Sequence, residues 1–215
     1  VGVQVGALAY VRIEDAANGT GSEYTTGSLT AGDNLTLYAA GYDANDNFIA
    51  DQSVTWSTTG SLDDTTDTGT SFTFNSHTAP ASGTIVADYA DAGGDDDDTG
   101  EITVSVGALE YLTIRTAANN GGIEFGDSVM TTDDAVTFYA AGYDDEDNYL
   151  RDVGATWSLG GTLIGSGGTG TSFTYAPAVS GRAGVITADT TDATSDITGT
   201  ITVNDGALAY VRVED

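Results

Sequence analysis

The sequence predicts an all-β protein built from two tandem antiparallel β-sandwiches, and three observations carry that prediction. The chain repeats itself, because GALAYVRIED at residues 6–15 returns as GALEYLTIRT at residues 107–116, a shift of 101 residues. Apolar and polar residues alternate along short runs, which is the period of a half-buried strand. Gly, Asp and Asn, which favour turns, separate these runs.

The composition limits what such a protein can do. The 215 residues contain 33 acidic side chains against five Arg, with no Lys, and the net charge is −28. This charge repels nucleic acid and anionic lipid and attracts cations, so we expect no nucleic-acid partner. Cys is absent, which excludes disulfides and thiolate metal sites. No apolar run reaches the roughly 18 residues of a membrane helix, so no membrane insertion is expected.

The self-match sets the domain boundaries. The run LTLYAAGYDANDN (35–47) returns as VTFYAAGYDDEDN (136–148), and EITVSVGALEY (101–111) returns as TITVNDGALAY (200–210). This period predicts one domain over residues 6–106 and a second over 107–205. Residues 1–5 match the last strand of a copy and residues 206–215 match the first. We therefore expect a closing strand of a preceding repeat at 1–5, an opening strand of a following repeat at 206–215, and an extended end-to-end arrangement.

The alternation also predicts which residues face each core. In the first copy they are Val11, Ile13, Leu35, Leu37, Ala39, Val54, Trp56, Phe72, Phe74, Ile85, Ala87, Ile102 and Val104. In the second copy they are Val136, Phe138, Ala140, Ala155, Trp157, Phe173, Tyr175, Ile186, Ala188, Ile201 and Val203. Short strands with one Trp on a middle strand are typical of an immunoglobulin-like (Ig-like) sandwich, whose two sheets share the Trp as a core plug.

One stretch resembles a known family. LTLYAAGYDANDNFIADQSVTWSTTGSL (35–62) is similar to the bacterial Ig-like repeats of invasin- and intimin-type surface proteins and adhesins, in which a strand, an Asp-rich turn, a VTWS strand and Gly-Ser-Leu follow one another. The resemblance covers both copies nearly end to end, and it implies the Ig-like fold and an extracellular, cell-surface location. The turn departs from the pattern, because Asp46 and Asp147 stand where that family often has Gly.

The acidic turns DANDN (43–47) and DDEDN (144–148) are the candidate metal sites. Calcium takes six to eight oxygen ligands from carboxylates, amides and carbonyls. The candidate ligands are Asp43, Asn45, Asp46, Asn47, Asp144, Glu146, Asp147 and Asn148. Carboxylates of the loop at 91–98, and Asp192 and Asp196 in the second copy, are expected at the same end. A bound Ca²⁺ would then stiffen the junction. The alternative interpretation is a solvated acidic surface.

Catalytic residues are scarce. Lys and Cys nucleophiles are missing, and His77, the single histidine, has no counterpart in the second copy. We therefore expect no enzymatic activity, and the family resemblance implies an extracellular structural protein.

The leading hypothesis is a stalk, fibre or adhesin shaft whose partners are neighbouring Ig-like repeats or identical chains end to end. One alternative is a subunit of a self-assembling filament or surface layer joined by strand addition. A further alternative is a carbohydrate-binding accessory module, which requires aromatic side chains exposed in a shared patch. The outward tyrosines Tyr38, Tyr42, Tyr139 and Tyr143 are candidates to bind a sugar or a partner, and the alternative is that a loop or a neighbouring sheet covers them. The sequence does not identify a glycan or cell-surface ligand.

Overall fold

The computed structural model describes residues 4–90 and 96–212, and within these ranges the secondary structure is strand and turn with no helix. The all-β class is therefore confirmed, and no described segment is a helix that could cross a membrane. The chain divides into two compact units, one up to Gly107 and one from Ala108 onwards. The proposed flanking strands stay predictions. Residues 1–3 and 213–215 lie outside the described residues, and residues 4–5 and 205–212 contain no strand.

The first unit, called domain 1 below, forms these strands over its described residues: β1 (Leu8–Glu14), β2 (Gly27–Thr30), β3 (Asn34–Asp43), β4 (Phe48–Asp51), β5 (Val54–Thr58), β6 (Thr66–Gly69), β7 (Ser71–Asn75), β8 (Ala81–Gly83), β9 (Ile85–Asp88), β10 (Asp97–Asp98) and β11 (Ile102–Ser105).

The second unit, domain 2, repeats the series: β12 (Tyr111–Arg115), β13 (Ser128–Thr131), β14 (Val136–Tyr143), β15 (Tyr149–Asp152), β16 (Ala155–Leu159), β17 (Gly168–Gly170), β18 (Ser172–Tyr175), β19 (Arg182–Gly184), β20 (Ile186–Thr190), β21 (Ala193–Ile197) and β22 (Ile201–Asn204).

The sheets of domain 1 form an Ig-like sandwich. One sheet has the order β1-β3-β4, with β7 also paired to β3, and a second has the order β10-β9-β5-β6. A third sheet, β2-β11-β8, contains a parallel pair, because β11 runs parallel to β2 and antiparallel to β8. Domain 2 repeats these pairings, and there β12 also pairs in parallel with β21, which joins the first two sheets into one.

The predicted cores are confirmed. The inward-facing residues named above are buried in both domains, except Leu35, Val136 and Phe173, which are partly buried against the cores. Trp56 is 0% exposed and Trp157 is 1% exposed. Each indole N–H donates to a carbonyl at 3.0 Å, that of Gly69 in domain 1 and that of Gly170 in domain 2. Because a buried polar group is costly when unpaired, these bonds allow the largest core side chain to be buried completely.

Candidate functional site: the acidic turn and the entry strand

The acidic turn of domain 1 is built around the Asp43 carboxylate. Asp43 ends β3 and is 2% exposed. Its Oδ1 accepts the backbone N–H of Asn45 at 2.9 Å and that of Asn47 at 3.0 Å, and the Asn47 side-chain amide reaches both carboxylate oxygens. Asp and Asn side chains that bond the following backbone in this way stabilise tight turns. In domain 2, Asp144 makes the corresponding contacts.

The backbone conformation at Asp46 and Asp147 explains why the similar repeats often have Gly at this position. Asp46 has a φ of 61° and Asp147 a φ of 64°. This left-handed region costs a β-carbon some energy, although Asp and Asn tolerate it better than most residues. Asp therefore stands in a glycine-like conformation at both turns, and its side chain has a use there.

The entry strand of domain 1 is tied to this turn at two points. The Gly6 N–H donates to Asp43 Oδ2 at 2.8 Å, and the Tyr10 hydroxyl donates to Asp46 Oδ1 at 2.7 Å. The Tyr10 ring also stacks on Tyr42, with 5.5 Å between ring centroids. We call this set of contacts the entry clasp of domain 1. It fixes the segment through which the chain enters the sandwich.

Domain 2 repeats the tyrosine contacts of the clasp at Tyr111. Its hydroxyl donates to Asp147 Oδ1 at 2.6 Å, and its ring stacks on Tyr143 with 5.2 Å between centroids. The leucine two residues earlier packs in the same way in both domains, because Leu8 covers Gly41 and Leu109 covers Gly142 so closely that a β-carbon at either glycine would collide with it. The leucine and the tyrosine of the motif Gly-Ala-Leu-x-Tyr therefore make the same contacts in both domains.

The clasp shifts the ionisation of its members. The N–H donors of Gly6, Asn47 and Asn45 stabilise the charged carboxylate and lower the pKa of Asp43 to about 2. The hydrogen bond to Asp46 raises the pKa of Tyr10, whereas burial, followed by the bond to Asp147, raises the pKa of Tyr111. At neutral pH Tyr10 and Tyr111 therefore keep their hydroxyl protons, and Asp43 is a charged acceptor.

These contacts give the candidate metal ligands another role. The Asp43 carboxylate accepts the backbone N–H groups of Asn45 and Asn47. The Asp144 carboxylate likewise accepts those of Glu146 and Asn148. Asp46 and Asp147 each accept a hydrogen bond from a tyrosine hydroxyl. In residues 4–90 and 96–212, no three His, Cys, Asp or Glu side chains come together in a way that could hold a metal ion. Residues 91–95 of the acidic loop lie outside the described part of the chain. The calcium site stays a prediction.

The sequence did not reveal a second acidic contact on the entry strand. Asp97 accepts the backbone N–H of Ile13, and Asp196 accepts that of Ile114, both at 2.6 Å. Burial raises the pKa of Asp97 despite this bond. The signal was present, since both aspartates lie five residues before the apolar start of the last strand, at Ile102 and Ile201.

Domain 1 also contains an ion pair next to the clasp, in which the carboxylate is buried and the Arg12 side chain is 30% exposed. Glu14 is 0% exposed, and its Oε1 accepts from Arg12 Nη2 at 2.5 Å and from the Tyr42 hydroxyl. The Arg12 guanidinium lies over the Tyr42 ring, 4.3 Å from its centroid. Burial, followed by the bond to Glu14, raises the pKa of Tyr42 to about 12. Tyr42 thus contacts Tyr10 through its ring, Arg12 through its ring and Glu14 through its hydroxyl.

Domain 2 solves the same position without a buried carboxylate. Thr113 and Arg115 replace Arg12 and Glu14 in the repeat. The Arg115 side chain donates to the carbonyls of Gly121 and Gly122 at 3.1 and 3.0 Å. The tyrosine contacts of the clasp are therefore common to both domains, whereas the Arg12–Glu14 pair belongs to domain 1.

Comparison with known proteins identifies similar folds. They include the adhesin InvE of Yersinia pseudotuberculosis, at 17% identity and a TM-score of 0.34 over 82% of this chain and 56% of that one. The Escherichia coli adhesin FdeC matches at 13% identity and a TM-score of 0.39 over 95% and 67%. The chicken CNTN1 FN1–FN3 domains match at 11% and 0.40 over 94% and 68%.

No family model matches the chain, and no curated protein matches it. The chain spans little more than half of the InvE structure. At these identities the likeness concerns the fold alone. The Ig-like fold itself is carried by the sheets described above.

Proposed function

We propose that the protein is a non-enzymatic, extracellular shaft segment at a cell surface, in which each Ig-like domain resists tension applied along the chain. The observation that carries this proposal is the parallel pairing of an early strand with the last strand of each domain. In domain 1, β2 pairs with β11 from Gly27↔Ile102 to Thr30↔Ser105. In domain 2, β13 pairs with β22 from Ser128↔Ile201 to Thr131↔Asn204.

The parallel pair determines how tension acts on each domain. A pull on the N-terminal side draws β2 towards its own beginning, while a pull on the C-terminal side draws β11 towards its own end. Because the two strands are parallel, these forces are opposed along the ladder and shear all of its hydrogen bonds together. Flanking bonds extend the ladder in domain 1, from Gly27 N to Glu101 O at 3.2 Å and from Ala31 N to Ser105 O at 2.9 Å.

The entry clasp lies where that tension reaches domain 1. Gly6 precedes β1, and its N–H is bonded to Asp43 on the neighbouring strand. Tyr10, which follows Gly6 on the entry strand, donates its hydroxyl hydrogen bond to Asp46. These two bonds oppose peeling of β1 from β3 before the force reaches β2. The clasp therefore supports a mechanical role better than an ion-binding role for the acidic turn.

Two features bear on the alternatives. The outward tyrosines Tyr42 and Tyr143 are covered by Tyr10 and Tyr111, so neither presents an open face to a sugar ring. The backbone N–H of His77 donates to the Asp63 carboxylate at 2.7 Å, which is a contact between two loops. The first feature supports a structural role over carbohydrate binding, and the second joins the segment of His77 to a neighbouring loop.

The proposal is tested by pulling single molecules of the full chain from its two ends. We expect two unfolding events, each lengthening the chain by about 30 nm, because roughly 100 residues extend at 3.3–3.6 Å each. Ala31→Pro removes one bond of the β2–β11 ladder, so it should lower the unfolding force of domain 1 only. Domain 2 in the same molecule is the control.

The second control variant is Ile85→Val, which destabilises the domain 1 core by about 0.5–1.5 kcal/mol without touching the ladder. If it lowers the unfolding force as much as Ala31→Pro at equal loss of stability, tension does not act through the parallel pair. A single gradual extension without discrete events would also contradict the proposal.

A further inference from the structure

Residues 206–212 expose apolar side chains that have buried or covered counterparts elsewhere in the chain. Leu208 is 83% exposed, Tyr210 80% and Val211 78%. The segment 206–215 reads GALAYVRVED, whereas residues 6–15 read GALAYVRIED. In domain 1 the residue that corresponds to Val211 is Val11, which is 3% exposed. Nearly the same sequence therefore forms a core strand in domain 1 and an exposed segment after domain 2. We call the latter the bare segment.

The beginning of this bare segment is held in place. The Gly206 N–H donates to Thr132 Oγ1 at 3.0 Å, and the Ala207 N–H donates to the Asp133 carboxylate at 2.6 Å. Gly206 has no room for a side chain, because a β-carbon there would lie 2.5 Å from the Asp133 oxygens. Domain 2 thus fixes the start of the segment, and Leu208 to Arg212 follow without strand structure.

We propose that residues 208–212 are a docking strand for an Ig-like sandwich that presents an acidic turn of the form Tyr-Asp-x-x-Asp-Asn and has no first strand of its own. The inference rests on the proposed function and names its partner. Both internal copies of the motif show the contacts that this partner would make.

The three contacts follow from the two internal copies. The leucine covers a glycine on the neighbouring strand, as Leu8 covers Gly41. The tyrosine hydroxyl donates to the fourth residue of the turn, as Tyr10 does to Asp46. The next residue enters the core, as Val11 does in domain 1 and Leu112 in domain 2, each 3% exposed. Leu208, Tyr210 and Val211 have the residue types and the spacing for all three.

The two turns of this chain do not meet the requirement, because their own entry strands fill the place. Tyr10 already bonds Asp46, and Tyr111 already bonds Asp147. Docking on either domain of an intact second copy would have to displace β1 or β12. The partner is therefore a sandwich whose first-strand position is open, and the acidic turn is the feature by which the strand is recognised.

The test extends the full chain at its C-terminus with a second copy of its own residues 16–106. This addition supplies the acidic turn and every strand of domain 1 except β1. Single molecules pulled from both ends are expected to show a third unfolding event of the same length as that of domain 1. Val211→Asp, which places a charge at the buried position, should abolish the third event and leave the first two unchanged.

Ala209→Glu is the matched control, because domain 2 carries Glu110 at that position of its own motif. It should keep the third event. Tyr210→Phe should lower the force of the third event as much as Tyr10→Phe lowers that of domain 1. A third event that survives Val211→Asp, or its absence with the unchanged segment, would overturn the inference. The first two events report separately on the proposed function.

Discussion

The hydroxyl of Tyr10 donates a hydrogen bond to the carboxylate of Asp46, which lies 36 residues later on a turn with a left-handed backbone. The same relationship joins Tyr111 to Asp147. The acidic turn thus binds the first strand of its own domain, and the contacts are made by the motif that opens each copy.

The first prediction concerns the strength of this bond. Tyr10→Phe should lower the free energy of unfolding of domain 1 by about 0.5–1.5 kcal/mol, the usual contribution of a single hydrogen bond. Asp46→Asn should weaken the same bond, and the double variant should lose less than the sum of the two. Urea unfolding of the four proteins measures the coupling. Strictly additive losses would show that the two residues do not act as a pair.

The second prediction concerns acid. The pKa of Asp43 is lowered to about 2 in the folded state by the N–H donors of Gly6, Asn47 and Asn45. A lowered carboxyl pKa adds stability that is complete above the unfolded value of about 3.9 and disappears as the pH falls towards 2. Asp43→Asn should therefore be less stable than the wild type at pH 6, and the difference should close between pH 4 and pH 2.

Asp97→Asn is the comparison variant, because the stability contributed by Asp97 should change with pH in the opposite direction to that of Asp43. Because burial raises the pKa of Asp97, its contribution to stability is fully present below its unfolded pKa and declines as the pH rises through the folded value. Thermal melting of both variants and the wild type between pH 2 and pH 7 measures the two slopes. A pH-independent gap between Asp43→Asn and the wild type would refute the clasp as the source of the shift.

The third prediction concerns the Arg12–Glu14 ion pair of domain 1. Arg12→Ala leaves the buried Glu14 carboxylate without its cation, so the domain should lose about 1–3 kcal/mol, less than a fully buried pair would, because the Arg12 side chain is 30% exposed. Adding Glu14→Gln should recover part of that loss, because the stranded charge is then removed. Arg151→Ala, at an exposed site, should change stability by no more than about 0.5 kcal/mol. Equal effects of Arg12→Ala and Arg151→Ala in urea unfolding would exclude a structural role for the pair.

The fourth prediction concerns calcium. The carboxylates of Asp43 and Asp46 already accept from N–H and O–H donors. A turn held by these bonds alone predicts that millimolar calcium or a chelator leaves the Tm unchanged in dilute salt, whereas a calcium site predicts that the chelator lowers the Tm. Asp43→Ala should lower the Tm by the same amount with and without calcium. A chelator that lowers the wild-type Tm but not that of Asp43→Ala would establish the turn as a calcium site.

Much of the fold was accessible from the sequence. Trp56, and Val11 with Ile13, were predicted to be core residues, because burial of one strand face leaves an alternating pattern that survives in a single sequence. Strand β2 was not predicted. Its four residues, GSLT, are short and largely polar, and they form a strand only because β11 lies beside them.

The clasp could not be derived from residue types alone. An Asp-rich turn indicates cation binding as long as the N–H and O–H groups that bond its carboxylates are unknown. Asp43 instead binds the N–H of Gly6, 37 residues earlier in the chain. Glu14 was missed for a similar reason, since nothing local marks a glutamate as buried when its partners are Arg12 and a tyrosine 28 residues away.

The most direct test of the account compares two pulling directions on domain 1. The sequence has no native Cys, so cysteines introduced at Thr30 and Ser105, both exposed and directly paired at one end of the β2–β11 ladder, provide unique attachment points. Pulling there peels the ladder bond by bond, whereas pulling through the chain ends shears it. The account predicts a several-fold higher unfolding force through the chain ends, and equal forces in the two directions would contradict it.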